Sequence, residues 1–469
     1  MEIKKKYFIF SIIVLFNIVL KSLFADHASF NYDEIISVKD TLLHFGHIKH
    51  EAEWDNNPPF FYYCLWVWHS IIPISEFNSR LLSIVFVSFS IGFSFLFSIK
   101  YLNNRTSFFS VVLLSLSNFL TYYSLETRTY SLVVFLVLLS TLQLFKYIEK
   151  PSLINLLVLS LINFLIIYSH YISGIVLLMQ FLFIGIYYKK LIKPFISIQT
   201  IFICGLIFLR FTKKQFLHII NFNKKGDFWL QTATIDDLYE TIKNLFYNQF
   251  TLYFFILAIV VYIYNFLRKK KEETRNAQIY CFLIGICPIF FLFFIGIFKT
   301  VFLDRYLIFC IPFATILMSF QLTRDKLVGF GSFIILFIIQ IVNYKLMKDS
   351  SMDYRSISEI VKHNESKGDY IVINTKDNLG LFEYYYDKPK FLRYKNIDSL
   401  CRTQNIYGVN DLESLKEINF ARRNKIFLIQ SFHKIGKNNN PLEEYLTSKY
   451  KKVYSTNFFN GVEFNVFKN

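Results

Sequence analysis

Four groups of polar side chains carry the chemistry this chain could do. Asn31-Tyr32-Asp33-Glu34 places two acids directly after the first apolar stretch, and Asp55 precedes Asn56-Asn57-Pro58-Pro59 about twenty residues later. Tyr122-Tyr123-Ser124-Leu125-Glu126-Thr127-Arg128-Thr129-Tyr130 and Tyr168-Ser169-His170-Tyr171 each join two apolar stretches, and Asp304-Arg305-Tyr306 opens a late one. A carboxylate can take a proton from an attacking hydroxyl. A guanidinium binds phosphate oxygens in a two-pronged grip. Acids and arginines gathered on one face would therefore suit a substrate with both a phosphate and a sugar.

Plainer roles exist for every one of these groups. Asp33 and Glu34 could start a helix, Asp55 could cap a helix opening at Pro58-Pro59, and Arg128 could pair with Glu126 or reach lipid headgroups. His170 could be a helix-end histidine, and Asp304 with Arg305 a local ion pair. Tyr62, Tyr63 and the tryptophans read as interface anchors. What separates these readings is which elements hold the groups, and where.

Composition sets the class of those elements. The 469 residues are 54% hydrophobic and 19% aromatic but only 18% charged, below the quarter or so of a soluble domain. Apolar runs recur over 7–24, 80–98, 107–122, 130–147, 153–169, 172–188, 195–211, 251–267, 278–298, 303–322 and 328–345. Runs of about 20 apolar residues span a bilayer as helices, so the chain reads as a polytopic α-helical membrane protein with about eleven spans. The first run is expected to stay in the protein, since ten more need an inserted start.

Basic knots fall in every second connection: Lys4-Lys5-Lys6, Lys100 with Arg105, Lys146 with Lys150, Lys189-Lys190, Arg268 to Lys271, and Arg324 with Lys326. Positive charge collects on the cytoplasmic side, which puts the amino terminus inside and the carboxyl-terminal tail outside. All the polar groups named above then share the outer side. The net charge of +17 reflects this topology rather than a nucleic-acid surface. The six cysteines form no disulfide framework or zinc spacing.

Two domains are expected: a transmembrane module over 1–345 and a small α/β extracytoplasmic domain over 346–469. The module includes a long outer loop, 25–79, with an interfacial helix from Pro59 to Ile74. A second outer loop, 212–250, carries Lys213, Lys214, Lys224 and Lys225 and an amphipathic helix from Ile235 to Phe246. In the tail, β-rich runs at Tyr370–Asn374, Lys425–Gln430 and Val462–Val466 alternate with helical runs at Ile357–His363 and Leu442–Ser448.

The Asp33-Glu34 pair after the first span, the Asp55-x-x-Pro58-Pro59 stretch, the Glu126-x-Arg128-x-Tyr130 element and Arg305-Tyr306 before a late span together resemble the GT-C membrane glycosyltransferases. The resemblance is to the protein O-mannosyltransferases, the lipid A aminoarabinose transferases and the RgtA/B/C/D-like group, and it covers roughly residues 1–345. It implies transfer of a hexosyl or pentosyl group, with inversion, from a polyprenyl-phosphate donor to a hydroxyl on a glycolipid, lipid A, polysaccharide or protein. Asp33 would be the general base, Glu34 its support, and Asp55 part of the acceptor site. Arg128 and Arg305 would steady the phosphate, with Glu126, His170 and Tyr306 lining the same cavity.

Some relatives bind a divalent cation and others do not. Asn57 stands where relatives often have histidine, which argues against a metal at that loop. The Lys-, Asn-, Ile- and Phe-heavy usage points to an AT-rich bacterial genome and an inner-membrane location. Two other classes compete. A cell-envelope polymerase or ligase would carry its large outer loop late in the chain. A lipid-linked sugar transporter or flippase would put ionisable groups at midplane.

Overall fold

In the computed structural model, the described residues are 2–26, 28–43, 45–51, 57–208, 214, 232–246, 249–268, 273–343, 353–393, 397–421, 424–431, 440–458 and 462–468. In chain order the helices that matter here begin with α1 (Glu2–Ser22), α2 (Tyr32–Asp40), α3 (Phe60–His69), α4 (Glu76–Tyr101), α5 (Asn104–Ser115) and α6 (Asn118–Ser124). They continue with α7 (Tyr130–Glu149), α8 (Leu153–Ser169), α9 (Ile175–Tyr187), α10 (Lys189–Phe208), α11 (Ile235–Phe246) and α12 (Gln249–Leu267). Then come α13 (Arg275–Gly285), α14 (Cys287–Gly296), α15 (Cys310–Leu322), α16 (Lys326–Asn343), α17 (Tyr354–Asn364), α18 (Leu379–Tyr386), α19 (Ile397–Thr403) and α20 (Pro441–Lys449).

The chain divides into two compact units. The first comprises Met1–Ala25, Phe45–Pro73 and Phe77–Met347; the second comprises Asp26–His44, Ile74–Glu76 and Lys348–Asn469. The segment 25–79 thus contributes to both, and the Asp33-Glu34 pair belongs to the unit that holds the carboxyl-terminal tail.

The first unit is helical throughout its described residues, and its helices are started by their own polar side chains. Asn103, Ser117 and Ser152 accept bonds from the backbone N–H of Thr106, Leu120 and Asn155 at the starts of α5, α6 and α8. Among the described residues, four helical runs are long and apolar enough to cross a membrane: Glu76–Tyr101, Tyr130–Glu149, Gln249–Leu267 and Arg275–Gly296, the last made of α13 and α14 together. Leu153–Ser169, Tyr171–Tyr187, Cys310–Leu322 and Lys326–Val342 are apolar and shorter.

Three of the expected spans are not continuous helices, and one of them, 303–322, opens as the 3-10 turn Asp304–Leu307 and becomes α-helical only at Cys310. The run 107–122 breaks into α5 and α6 at Leu116-Ser117, where Ser117 caps the second piece. The run 278–298 breaks at Ile286, because Pro288 at the start of α14 brings no N–H to the preceding turn. Gly285 sits at that break with no room for a side chain: a Cβ there would lie 2.6 Å from the Ala314 nitrogen, so α13 and α15 meet backbone to backbone.

Inside the bundle the helices are tied by neutral polar side chains. Ser140 of α7 donates to Asn163 of α8 (2.6 Å), Asn163 donates to Gln180 of α9 (2.8 Å), and Gln180 donates back to Ser140 (2.8 Å). All three are fully buried. This closed ring of three fixes the register of α7, α8 and α9; two of the candidate site residues lie at the start of α7 and the end of α8. A similar bond set joins α1 to the α5–α6 break, where the Lys21 amine donates to Ser115 O (3.1 Å) and Thr121 Oγ1 (2.9 Å).

The second unit contains a five-stranded sheet of β1 (Tyr370–Asn374), β2 (Ile406–Gly408), β3 (Ile426–Ser431), β4 (Lys451–Phe458) and β5 (Val462–Lys468). The strand order is β2-β1-β3-β5-β4. The first three are parallel, and β5 runs antiparallel to both β3 and β4. Successive side chains leave opposite faces of a strand, and each face is buried. Ile371, Ile373, Phe427 and Ile429 enter one core with Tyr354 and Phe382, while Val372 and Leu428 enter another with Leu442 and Leu446. Phe30, Ile35 and Val38 of the early loop join the first of these cores. The expected strands and helices of the tail are present, and β2 and β4 are additional.

Candidate active site

In the first unit the site is built at the start of α7, at the end of α8 and on the 3-10 turn Asp304–Leu307 ahead of α15. Arg128 precedes α7, and its N–H donates to Glu126 O (2.9 Å), which bends the chain tightly enough to turn its side chain inward. It is 7% exposed and its Nη1 donates to the hydroxyl of buried Tyr62 on α3 at 3.3 Å. Tyr62 is therefore a wall of this site and not the interface anchor that its aromatic surroundings predict.

His170 ends α8 and is 5% exposed. Its ring lies 4.8 Å from that of Tyr306 and 6.2 Å from that of Tyr130, and its Nδ1 is 3.2 Å from Ser173 Oγ. Arg305 brings its guanidinium to 5.9 Å from both the Tyr130 and Tyr306 rings, within cation–π range. Burial, reinforced by the nearby charges of Arg305 and Arg128, pushes His170 down to about 3. It is neutral at physiological pH and cannot serve as a proton donor of the imidazolium kind.

The sequence-derived group Arg128, His170, Arg305 and Tyr306 is thus assembled around Tyr130. Glu126 is half-buried two residues ahead of Arg128 and acts electrostatically on Tyr130. Two guanidiniums, a neutral imidazole and the phenols of Tyr62, Tyr130 and Tyr306 thus share one neighbourhood with the carboxylates of Glu126 and Asp304. Asn244 of α11 was invisible to sequence reasoning: its amide donates to Asp304 Oδ2 at 3.0 Å across 60 residues of chain.

The acids of the early loop divide their labour. Glu34 is buried and closes a capping box at the start of α2, accepting from Asn31 N (3.0 Å) while its own N–H donates to Asn31 Oδ1 (2.8 Å). Asp33, one residue earlier, is half-exposed on the first turn. Asp55 lies outside the described residues. Among the described residues no group of three or more His, Cys, Asp or Glu side chains gathers closely enough to hold a metal ion.

A family model described as dolichyl-phosphate-mannose-protein mannosyltransferase matches residues 56–211, the segment containing Glu126, Arg128 and His170. No curated protein sequence matches the chain. Its structure is similar to that of ArnT from Cupriavidus metallidurans bound to undecaprenyl phosphate, with a TM-score of 0.62 at 11% identity over 98% of this chain and 97% of that one. ArnT from the same organism in the apo state gives a TM-score of 0.62 at 10% identity, over 99% of this chain and 98% of the other. The Archaeoglobus fulgidus oligosaccharyltransferase in complex with zinc and sulfate gives 0.55 at 11% identity, over 97% of this chain and 73% of that one. At such identities the likeness is one of fold, and that fold is the GT-C fold of multi-pass membrane glycosyltransferases.

Proposed function

We propose that this protein transfers a sugar from a polyprenyl-phosphate donor to a hydroxyl acceptor on the outer face of the cytoplasmic membrane. The observation that carries the reading is the pairing of Arg128 and Arg305 around neutral His170 within a GT-C fold. Two guanidiniums at one site can grip an anion through directed hydrogen bonds, with the carboxylates of Glu126 and Asp304 beside them. The likeness to an ArnT structure that holds undecaprenyl phosphate makes a lipid-linked phosphate the natural anion.

In the proposed reaction the acceptor oxygen attacks the anomeric carbon as the bond from that carbon to the phosphate oxygen breaks. The acceptor proton passes to a carboxylate base, the role that the sequence resemblance gives to Asp33, and polyprenyl phosphate leaves. Negative charge grows on the departing phosphate oxygens, where the guanidiniums of Arg128 and Arg305 stabilise it more in the transition state than in the ground state. Tyr306 and Tyr130 exclude water and stack against the donor, while Glu126 lines the same cavity; for Asp55 the acceptor role remains the one that the sequence resemblance implies. Alternating basic loops support the outward-facing orientation, with the amino terminus cytoplasmic.

The test is transfer by the purified protein in nanodiscs from a panel of polyprenyl-phosphate sugars to membrane-extracted acceptors. Asp33→Asn is expected to lower turnover by about 10²- to 10⁴-fold, the range of a lost general base, with undecaprenyl phosphate binding retained. Movement of intact donor across vesicles without covalent transfer would assign the chain to the flippase class and overturn the proposal.

A further inference from the structure

The segment 25–79 is tied to the tail near both of its ends, and one side chain makes both ties. Arg355 stands on the first turn of α17. Asp353 caps that helix by accepting Ser356 N at 3.1 Å and Ser356 Oγ at 2.6 Å, and Tyr354, Ile357 and Val361 bury its inner face. Arg355 Nη2 donates to Ala28 O at 3.4 Å and lies 3.6 Å from Asp26 Oδ1, where the segment begins. The same nitrogen donates to Glu76 Oε1 at 2.8 Å, where the segment runs into α4.

Two tyrosines of α18 close this clasp. The Tyr385 hydroxyl accepts the Phe30 N–H at 2.6 Å and is hydrogen-bonded to Glu76 as well. Tyr384 donates to Glu76 Oε2 at 3.5 Å, and its ring meets that of Phe30 at 5.1 Å. Just beyond Phe30 the chain turns into α2. The Asn31–Glu34 capping box starts that helix, and Ile35 and Val38 seat it in the core that Tyr354 and Phe382 share. Asp33 belongs to the first turn of α2, so its backbone is placed by side chains of the tail.

We propose that Arg355 is a positioning residue of the transfer reaction: by holding both ends of the segment it fixes α2, and with it the backbone of Asp33. The tail thereby contributes to turnover without touching substrate. This rests on the reading in which Asp33 has the base role. A general base must stay within hydrogen-bond reach of the proton it takes, and a misplacement of about 1 Å can cost about 10²-fold in rate. Glu76 is 9% exposed, and a carboxylate so buried is left uncompensated when its cation is removed. Loss of the guanidinium therefore loosens both ends together.

The experiment uses the full-length protein in nanodiscs, with undecaprenyl phosphate as the binding probe and the transferred donor for kinetics. Arg355→Met keeps much of the side chain's reach and removes its charge. Amide hydrogen exchange in α2 is expected to quicken about tenfold, the worth of a hydrogen bond between charged groups, with β1 and β3 within about twofold. The kcat is expected to fall about 10- to 100-fold, with donor KM and the stoichiometry of undecaprenyl phosphate binding within about twofold. Arg355→Lys keeps the charge without the planar fork and should fall between.

A merely structural contact gives another pattern: exchange in β1 and β3 quickens with that of α2, and kcat per binding-competent molecule stays constant. That result overturns the proposal, as does unchanged exchange in α2. Glu76→Gln, which removes the same ion pair with an isosteric side chain, answers the same questions if Arg355→Met fails to fold. Asp33→Asn separates the two levels. If it abolishes transfer while Arg355→Met leaves kcat unaltered, the positioning role fails and the base reading stands. If Asp33→Asn leaves turnover unaltered, or no donor is transferred at all, the base reading fails and this inference falls with it.

Discussion

Replacing Arg305 with glutamine removes one charge and leaves a side chain of similar reach, so it isolates the guanidinium from the packing. Arg305 stands 5.9 Å from the Tyr130 and Tyr306 rings on a turn held by Asp304, and the Arg128 charge acts on the same His170. A hydrogen bond to an ionised phosphate is worth about 1.5–3 kcal/mol. At 1.36 kcal/mol per decade, a loss of about 2–3 kcal/mol is a fall of about 30- to 150-fold in kcat/KM. Arg305→Lys keeps a point charge but not the planar fork and should fall between the two.

The same variant has a second readout. His170 is held low first by burial and then by the charges of Arg305 and Arg128. Removing the Arg305 charge should raise its titration while burial still keeps it below the ordinary 6.5. The kcat/KM of Arg305→Gln should therefore fall at every pH from about 6 to 8, with no new limb near 6.5. Transfer rates within threefold of the unaltered protein, or a full histidine limb at 6.5, would refute the placement of Arg305 on the phosphate.

Two further outcomes concern stability. Glu383 on α18 is fully buried; its Oε2 takes only a long bond from Cys401 Sγ at 3.7 Å, and its Oε1 has no hydrogen-bond partner. Burial, with Asp387 nearby, raises its carboxyl from 4.5 to about 7. With the folded value raised, its contribution is whole below about 4.5 and is lost as pH climbs through 7, at a cost on the order of 2 kcal/mol. Hydrogen exchange in β1 and β3, corrected for intrinsic rates, should show the second unit opening more readily at pH 8 than at pH 5, and Glu383→Gln should flatten that slope; equal protection at both pH values contradicts it. Asn163→Leu breaks two bonds of the Ser140–Asn163–Gln180 ring and should cost about 1–2 kcal/mol in a detergent unfolding titration, an expectation that unchanged resistance would dismiss.

The parts of this molecule that were legible in the sequence are those with a strong local signal. Arg128, Arg305 and His170 stood out because ionisable groups between apolar runs are costly, and the structure does gather them. The tail read as α/β because Tyr370–Asn374 and Val462–Val466 are β-rich runs set between polar stretches. Less visible were features made by distant pairs or by single residues. Asn244 looks like any amide on the polar side of an amphipathic helix, since its partner lies 60 residues on. The breaks at Leu116-Ser117 and Ile286 vanish in a hydropathy average, because one capping serine or one proline hardly alters the mean. Edge strand β4 begins Lys451-Lys452 and contains Ser455-Thr456-Asn457, a polar run that reads as a loop until β5 pairs with it. The likeness of Tyr62 to its aromatic neighbours concealed that it faces inward.

The ring of Ser140, Asn163 and Gln180 has a mechanical consequence. Bilayers differ in thickness, and spanning helices adjust chiefly by tilting. Three helices laced at one depth by a cyclic bond set cannot slide past one another, so they must lean together as a block. The gap between Arg128 at the head of α7 and His170 at the foot of α8 is thereby insulated from the host lipid composition. Activity should then follow the chemistry of the carrier far more closely than the length of the surrounding acyl chains.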